Sequence, residues 1–403
     1  MHLFLILLLS LIVLILLFIA GIWLDIACGL RFRHPLLPKN KLSRSFNELR
    51  YFLYGRDLFR DMRQSIDAAR QHIHLSFFIF KADEVGNEWL ELLKKKAEEG
   101  VDVRLLVDYF NKRGLRKKLN GLAAAGVQIA FTGKPRFPFT FYYLNRRNHR
   151  KIMVIDGQVG YFGGFNVSRD YVSKNVEMGN WHDNHVRLEG KGVAVLQELF
   201  LADWQTATGK VLPRTGLFPE LNDGSAALDL IGTNANQVEK LFADELSKAR
   251  RSIIIGSPYF IPSRKLLQIL LEQLTRGVEL TIILPMKRDH AMVKPASYSY
   301  LQPLLEKGAH VFHFYQGFYH SKVFVVDQRR CYLGTANFDQ RSFFWNDELL
   351  GFSEDPALVK KVILQLNHEV YECSVPVKLE DLRHRSWIDR LKTAGSLLFS
   401  RFL

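Results

Sequence analysis

His149-Arg150-Lys151-Ile152-Met153-Val154-Ile155-Asp156 and His320-Ser321-Lys322-Val323-Phe324-Val325-Val326-Asp327 are one pattern, H-x-K-x4-D, written twice at an offset of 171 residues. At that offset Tyr161 also matches Tyr332, Gly163 matches Gly334, and Asn166 matches Asn337. A single copy is weak evidence, but two copies with matched residues downstream mark an internal repeat. In a strand, alternate side chains share a face, so each His and Lys project together while the apolar residues that follow bury the strand. Two copies set face to face gather two histidines, two lysines and two asparagines around one centre. Lysine has three donors and no acceptor, so beside each histidine it repels a cation and favours an oxyanion. That ranks an anion site above a metal site. Gly163 and Gly334 fall where backbone must turn or approach something closely. Asn166 and Asn337 add amide donors suited to phosphate oxygens.

Around each copy the chain alternates helix and strand. Residues 56–70 space Leu58, Met62, Ile66 and Ala69 as a helix, 72–80 form an apolar strand run, 88–99 a helix and 101–107 a strand. The order returns as a helix over 237–249, a strand over 252–256, a helix over 263–275 and a strand over 278–284. Residues 206–228 are rich in Gly, Pro and Thr without periodicity and read as a linker. The expected fold class is α/β: two tandem α/β/α sandwich repeats, residues 45–205 and 229–375, forming a pseudo-twofold unit.

The ends carry a different signal. Residues 3–23 contain no charged side chain, enough helix to cross a bilayer core of about 30 Å. The run is too long, and its leading flank too poor in basic residues, for a cleaved signal peptide. Ile26-Ala27-Cys28 hints at lipoprotein processing, the charged Asp25 beside it argues against this, and lipidation of Cys28 stays open. An uncleaved anchor over 1–24 is expected, followed by a basic juxtamembrane segment over 25–44 with Arg31, Arg33, Lys39, Lys41 and Arg44. Basic flanks stay inside, so the expectation is a single-pass cell-membrane protein with its catalytic body on the cytoplasmic side. Lys and Arg number 55 against 41 Asp and Glu, a balance of +14 that suits an anionic surface. Three cysteines, Cys28, Cys331 and Cys373, are too few for a disulfide framework or a Cys-rich zinc site. Aromatic and basic residues interleave over 134–147, with Phe137, Phe139, Phe141, Tyr142 and Tyr143. They interleave again in a basic amphipathic tail over 376–403, where Trp387 and Leu397 alternate with Arg385, Lys392 and Arg401. Both are expected to dip into the inner leaflet, core packing being the alternative.

The duplicated motif resembles the phospholipase D superfamily. Ser257-Pro258-Tyr259-Phe260-Ile261-Pro262, Gly334-Thr335-Ala336-Asn337-Phe338-Asp339, Gly163-Gly164-Phe165-Asn166 and Trp181-His182-Asp183 are similar to bacterial cardiolipin synthases, with coverage from about residue 45 to 375. Many of those carry two N-terminal spans where one is read here, which points to a shorter branch and leaves the lipid donor open. The resemblance implies that one motif histidine attacks phosphorus to give a phosphohistidine while the other protonates the leaving alcohol. His149, Lys151, Asp156, His320, Lys322 and Asp327 then form the catalytic set, with Asp156 and Asp327 bracing strand ends rather than touching substrate. Asn166, Asn337, Gly163 and Gly334 support the phosphate. Asp183, 34 residues after His149, and Glu348, 28 after His320, hold the imidazoles. Chain order makes His149 the nucleophile and His320 the general acid, although the reverse would look the same in sequence. His182 and His185 flank Asp183 and read as strand residues rather than metal ligands. The implied activity is that of a cardiolipin synthase, without metal or cofactor. Phosphatidylglycerol donates a phosphatidyl group, glycerol leaves, and a second phosphatidylglycerol accepts. Partners are then phosphatidylglycerol and anionic membrane lipids and no nucleic acid, with a homo-oligomer left open. A membrane-tethered phospholipase D-type hydrolase or nuclease is the alternative. A catalytically dead lipid-binding scaffold is a third reading, opposed by the intact motif residues.

Overall fold

The computed structural model describes residues 2–32, 42–235, 237–287, 292–383, 387–398 and 400–402. Among them, fifteen strands form one continuous sheet whose two halves mirror each other in strand order. From the outer edge of the first half inward run Gln128–Thr132, Asp102–Asp108, His72–Phe77, Ile152–Ile155, Val159–Gly163, His185–Gly190 and Ser43–Phe52. The second half repeats this as His310–Phe314, Glu279–Pro285, Ser252–Gly256, Val323–Val326, Arg330–Gly334, Glu348–Ser353 and Ala226–Thr233. Ser374–Pro376 adds a strand at that half's outer edge. The halves meet where Ser43–Phe52 pairs antiparallel with Ala226–Thr233, Ser45 opposite Leu228. The chain between helix Gly192–Thr208 and strand Ala226–Thr233 holds no helix or strand over 210–225.

Helices cover both faces of this sheet. Gly55–Ala68 buries Leu58, Met62 and Ile66 beneath it, and Glu84–Glu98 buries Trp89, Leu90 and Leu93 in the same apolar cluster. Val238–Leu246 and Arg264–Thr275 do the same for the second half. On the other face, Gly192–Thr208 and Pro356–Tyr371 share one cluster in which Val193 and Leu196 join Leu358 and Val362. Each such side chain is worth about 1.5–3 kcal/mol of burial, and this shared cluster welds the halves. The helix expected from residue 88 begins at Glu84, because the Asp83 carboxylate accepts the Gly86 N–H at 3.1 Å and caps it.

The N-terminal helix runs His2–Phe32, and within its stretch from Phe4 to Phe32 the most apolar 18 residues have a mean hydropathy of 3.4. It is long and apolar enough to cross a membrane. Its C-terminal half leans on the body at Phe139 and helix Thr140–Asn145, where Phe141 meets Phe18 edge-on and Phe139 stacks on Phe32, both at 6.1 Å. Much of the aromatic segment therefore packs on the anchor and the body: Tyr142 is buried, and Phe137 alone among its phenylalanines stands 94% exposed. In the expected juxtamembrane segment, residues 33–41 lie outside the described residues. In the tail, helix Trp387–Leu398 packs on Val293–Glu306 with Thr393 and Ser396 buried, while Arg385 lies outside the described residues.

Candidate active site

Short backbone bridges between the halves build the site. Phe318–Tyr319 runs parallel to Trp181–His182, and the His320 N–H donates to the His182 carbonyl at 2.7 Å. On the other side the His149 N–H donates to the Asp347 carbonyl and the Asp347 N–H to the Arg147 carbonyl, each at 2.9 Å. The backbone ahead of each motif histidine is thus paired with the backbone ahead of the other half's carboxylate. The side chains follow. His149 Nδ1 lies 3.0 and 3.1 Å from the two oxygens of Glu348, and His320 Nδ1 lies 2.5 Å from Asp183 Oδ2. Read along the chain, Asp183 goes with His149 and Glu348 with His320; the structure exchanges them. A carboxylate's position in sequence says which strand it opens, not which half that strand faces.

Glu348 is fully enclosed and fully engaged. Thr335 Oγ1 donates to it at 2.5 Å, Ser342 Oγ at 2.9 Å and Asn346 Nδ2 at 3.3 Å. Burial alone would raise its pKa, but His149, Lys151 and the Thr335 hydroxyl hold it down to about 2. Burial pushes His149 down to about 4 against the opposing pull of Glu348, and the charges of Lys151 and Lys322 add to the lowering. Burial likewise brings Lys151 down to about 7, helped by Lys322. Lys151 and Lys322 therefore sense one another across the site. Lys151 Nζ donates to the His149 carbonyl at 2.8 Å, Lys322 Nζ lies 3.4 Å from Asp183 Oδ2, and Lys322 also donates to the His320 carbonyl. Phe78 meets His149 edge-on at 5.1 Å, and the Trp181 ring lies 4.9 Å from that of His320. Both imidazoles are therefore fixed in rotation.

The remaining motif residues divide into two groups. Asp156 accepts the backbone N–H groups of Arg70, Gln71 and His72, each at 2.8 Å, and Asp327 those of Arg250, Arg251 and Ser252. Both stand about 20 Å of strand away from the motif histidines, so they fasten the far strand ends. Gly163 and Gly334 are close-approach positions, where a Cβ would stand 2.4 Å from the Asn184 carbonyl oxygen and 2.5 Å from that of Leu349. Asn166 spends its amide locally, accepting from the Ile79 N–H and donating to Tyr171 Oη, both at 2.9 Å. Asn337 donates to Asp339 Oδ2 at 3.1 Å. Each amide nitrogen carries a second N–H beyond these bonds. His182 packs on Phe314 and Tyr54, and His185 lies behind Asp183 with both ring nitrogens buried.

Several supporting residues escape a reading of the sequence. Arg150, the variable position of the first motif, is fully buried and crosses to the second half, donating to the carbonyls of Glu348 and Thr233 at 3.1 and 2.6 Å and to Asp203 at 2.6 Å. Asn184 reaches across in the opposite sense, accepting the Lys322 N–H at 3.0 Å and donating to its carbonyl at 3.3 Å. Arg146 and Arg147 pair with Asp347 and Asp108 in buried contacts ahead of His149. The run of two arginines beside the motif was a signal of sorts. Their partners lie too far along the chain to be read from it.

The family described as "cardiolipin synthase, PLD-like domain" matches residues 62–204 and 242–369. The chain is similar to the minor cardiolipin synthase ClsB of Bacillus subtilis, 35% identical over 379 residues, covering 94% of this chain and 95% of that one. It is 38% identical over 361 residues to the major cardiolipin synthase ClsA of the same organism, covering 87% of this chain and 74% of that one. A cardiolipin synthase of Staphylococcus aureus is 36% identical over 365 residues, with 89% and 74% covered. Among solved structures, the fold is similar to that of a phosphatidylserine synthase from Haemophilus influenzae, with a TM-score of 0.70 at 15% identity over 90% of this chain and 98% of that one. With a family match over both halves and relatives 35–38% identical that are covered along 74–95% of their own length, the chain belongs to the phospholipase D superfamily, in its cardiolipin synthase family of phosphatidyltransferases.

Proposed function

We propose that the protein joins two phosphatidylglycerol molecules into cardiolipin and glycerol through a phosphohistidine. The observation that carries this reading is the crossed pair of imidazoles, each with Nδ1 against a buried carboxylate and with two lysines between them. His149 is held neutral by burial, and the Nδ1–H that faces Glu348 leaves Nε2 with its lone pair outward. Nε2 attacks phosphorus and the bond to the glycerol headgroup oxygen breaks. His320 gives that oxygen its proton, and the Asp183 carboxylate offsets the charge a protonated ring carries. The headgroup hydroxyl of a second phosphatidylglycerol then gives its proton back to His320, attacks phosphorus and releases His149. Lys151, Lys322 and the free amide N–H groups of Asn166 and Asn337 stabilise the non-bridging oxygens. Asp156 and Asp327 brace the two motif strands.

The chain is membrane-associated through its apolar N-terminal helix. A single pass with the body on the cytoplasmic side fits the basic residues that follow that helix. The division into repeats 45–205 and 229–375 about a linker at 206–228 is part of the same reading. Thin-layer chromatography after incubating the purified protein with phosphatidylglycerol tests it. Cardiolipin and free glycerol are expected. Phosphatidic acid as sole product would make it a hydrolase, and cleaved DNA or RNA with intact lipid a nuclease.

A further inference from the structure

The N-terminal helix ends in contacts that a tether does not need. Asp25 lies near the end of its long apolar run, where a charge is costly unless it finds a partner. It finds one in the Tyr142 N–H, which donates to Asp25 Oδ2 at 3.0 Å. That N–H belongs to the first turn of helix Thr140–Asn145, where no intrahelical acceptor is available. One turn further along the anchor, Gly29 is buried against the same tyrosine, and a Cβ there would stand 2.4 Å from Tyr142 Cγ. The rings of Phe141 and Phe139 on Phe18 and Phe32 close the joint above and below.

From Tyr142 a continuous set of contacts leads inward. Its hydroxyl accepts from Arg146 at 3.4 Å, and Arg146 donates to both oxygens of Asp347 at 2.9 and 3.2 Å. The Asp347 carbonyl accepts the His149 N–H, and the next residue is Glu348, which holds the His149 ring. Arg341 donates to the Asn145 carbonyl at 2.9 Å, so the second half also grips this short helix. The anchor, both halves and the His149–Glu348 pair therefore share one seat.

Resting on the reading above that His149 carries the phosphatidyl group, we propose that the N-terminal helix is a structural part of the active site, in which Asp25 and Gly29 are positioning residues that seat Tyr142 and thereby His149. Membrane concentration and active-site positioning separate when the full-length protein, in detergent, acts on short-chain phosphatidylglycerol dispersed as monomers, since a tether then does nothing for the encounter. Asp25→Leu, which removes the acceptor, is expected to lower kcat about 10- to 100-fold with KM changed less than about twofold, the scale of a slightly misplaced reacting group. Asp25→Asn, which keeps an oxygen facing the Tyr142 N–H, is expected to restore most of that loss. A second measurement needs no turnover: a protease site placed within residues 33–41 is cut in the folded protein, and the body is recovered by a C-terminal tag. The severed helix should stay with the body, and Gly29→Leu should release it. Wild-type kcat in Asp25→Leu, or a severed parent helix that leaves at once, would overturn the proposal. Because retention is read without activity, failure of the transfer reading and failure of the joint are told apart.

Discussion

His149 is enclosed tightly enough to lose its proton down to about pH 4, while Glu348 on Nδ1 fixes which nitrogen is free. Two outcomes follow at the scale of single side chains. His149→Ala and His320→Ala should each cut cardiolipin formation by more than about 10³-fold, because each half-reaction uses both rings. Retention of more than about a tenth of parental rate in either would contradict the two-histidine scheme. The profile of kcat/KM against pH should fall below about pH 4, where His149 takes up a proton and can no longer attack. It should fall again above about pH 7, where free-enzyme Lys151 loses the charge that holds phosphate. An acid limb at the ordinary histidine value of about 6.5 would show that His149 is not buried in this way. Brief reaction with lipid labelled in the phosphatidyl part should leave acid-labile label on His149. Label on His320 would reverse the roles.

At the scale of elements, the strands that present the histidines are held from both ends, by Asp156 and Asp327 at one and, at the other, by Arg150 in the first motif and by Asn184 on Lys322 in the second. Arg150 is buried between the halves, and its pairing with Asp203 spans the first half's strand and helix Gly192–Thr208. Arg150→Met should cost about 3–5 kcal/mol by leaving Asp203 buried without its cation. That loss would be read as a lower denaturation midpoint, with Arg150→Lys intermediate. Asp156→Ala frees three backbone N–H groups of the 70–72 turn and should cost about 1–3 kcal/mol. The pH limbs of turnover should stay where they are, which separates bracing from chemistry. A shifted acid limb in Asp156→Ala would mean that the aspartate reaches the histidine.

For the whole molecule, buried histidines set the acid stability. His149, His182 and His185 are brought to about 4, 4 and 3 by burial, with His368 adding to the lowering at His182 and Lys151 at His149 and His185. Between about pH 6.5 and those values the unfolded chain binds more protons than the folded one, so stability present above 6.5 is lost as pH falls. Glu369 acts in the opposite sense, since burial raises it to about 7 and the folded protein keeps its proton longer than the unfolded chain. His72, His74 and His313 are lowered by burial in the same way, so the histidines outweigh Glu369 and the raised carboxyls of Asp108, Asp203 and Asp339, and the midpoint of thermal unfolding should drop between pH 7 and pH 5. A rise over that interval would refute the balance. Across the membrane, a reporter fused at the C-terminus should be active only in the cytoplasm.

The pattern at 149–156 and 320–327 sufficed for the α/β repeat, the paired His and Lys, and the membership that the comparisons establish, because strand periodicity and a duplicated spacing are local properties of the chain. The anchor was legible for the same reason: twenty-odd apolar residues need no partner to be read. Tertiary structure alone decided which carboxylate serves which histidine, since Glu348 meets His149 only after Asn148 and Asp347 come together across the halves. It also decided that Arg150 is a strut and that Asn166 is tied to Tyr171. Finally, it turned Phe139 and Phe141 onto the anchor helix, where the sequence pointed to lipid. A side chain's type and spacing state what it can bond to. Which of two equivalent partners it meets depends on how two halves of the same fold are docked, and that docking is set by a cluster of apolar side chains from both halves that no single stretch of sequence contains.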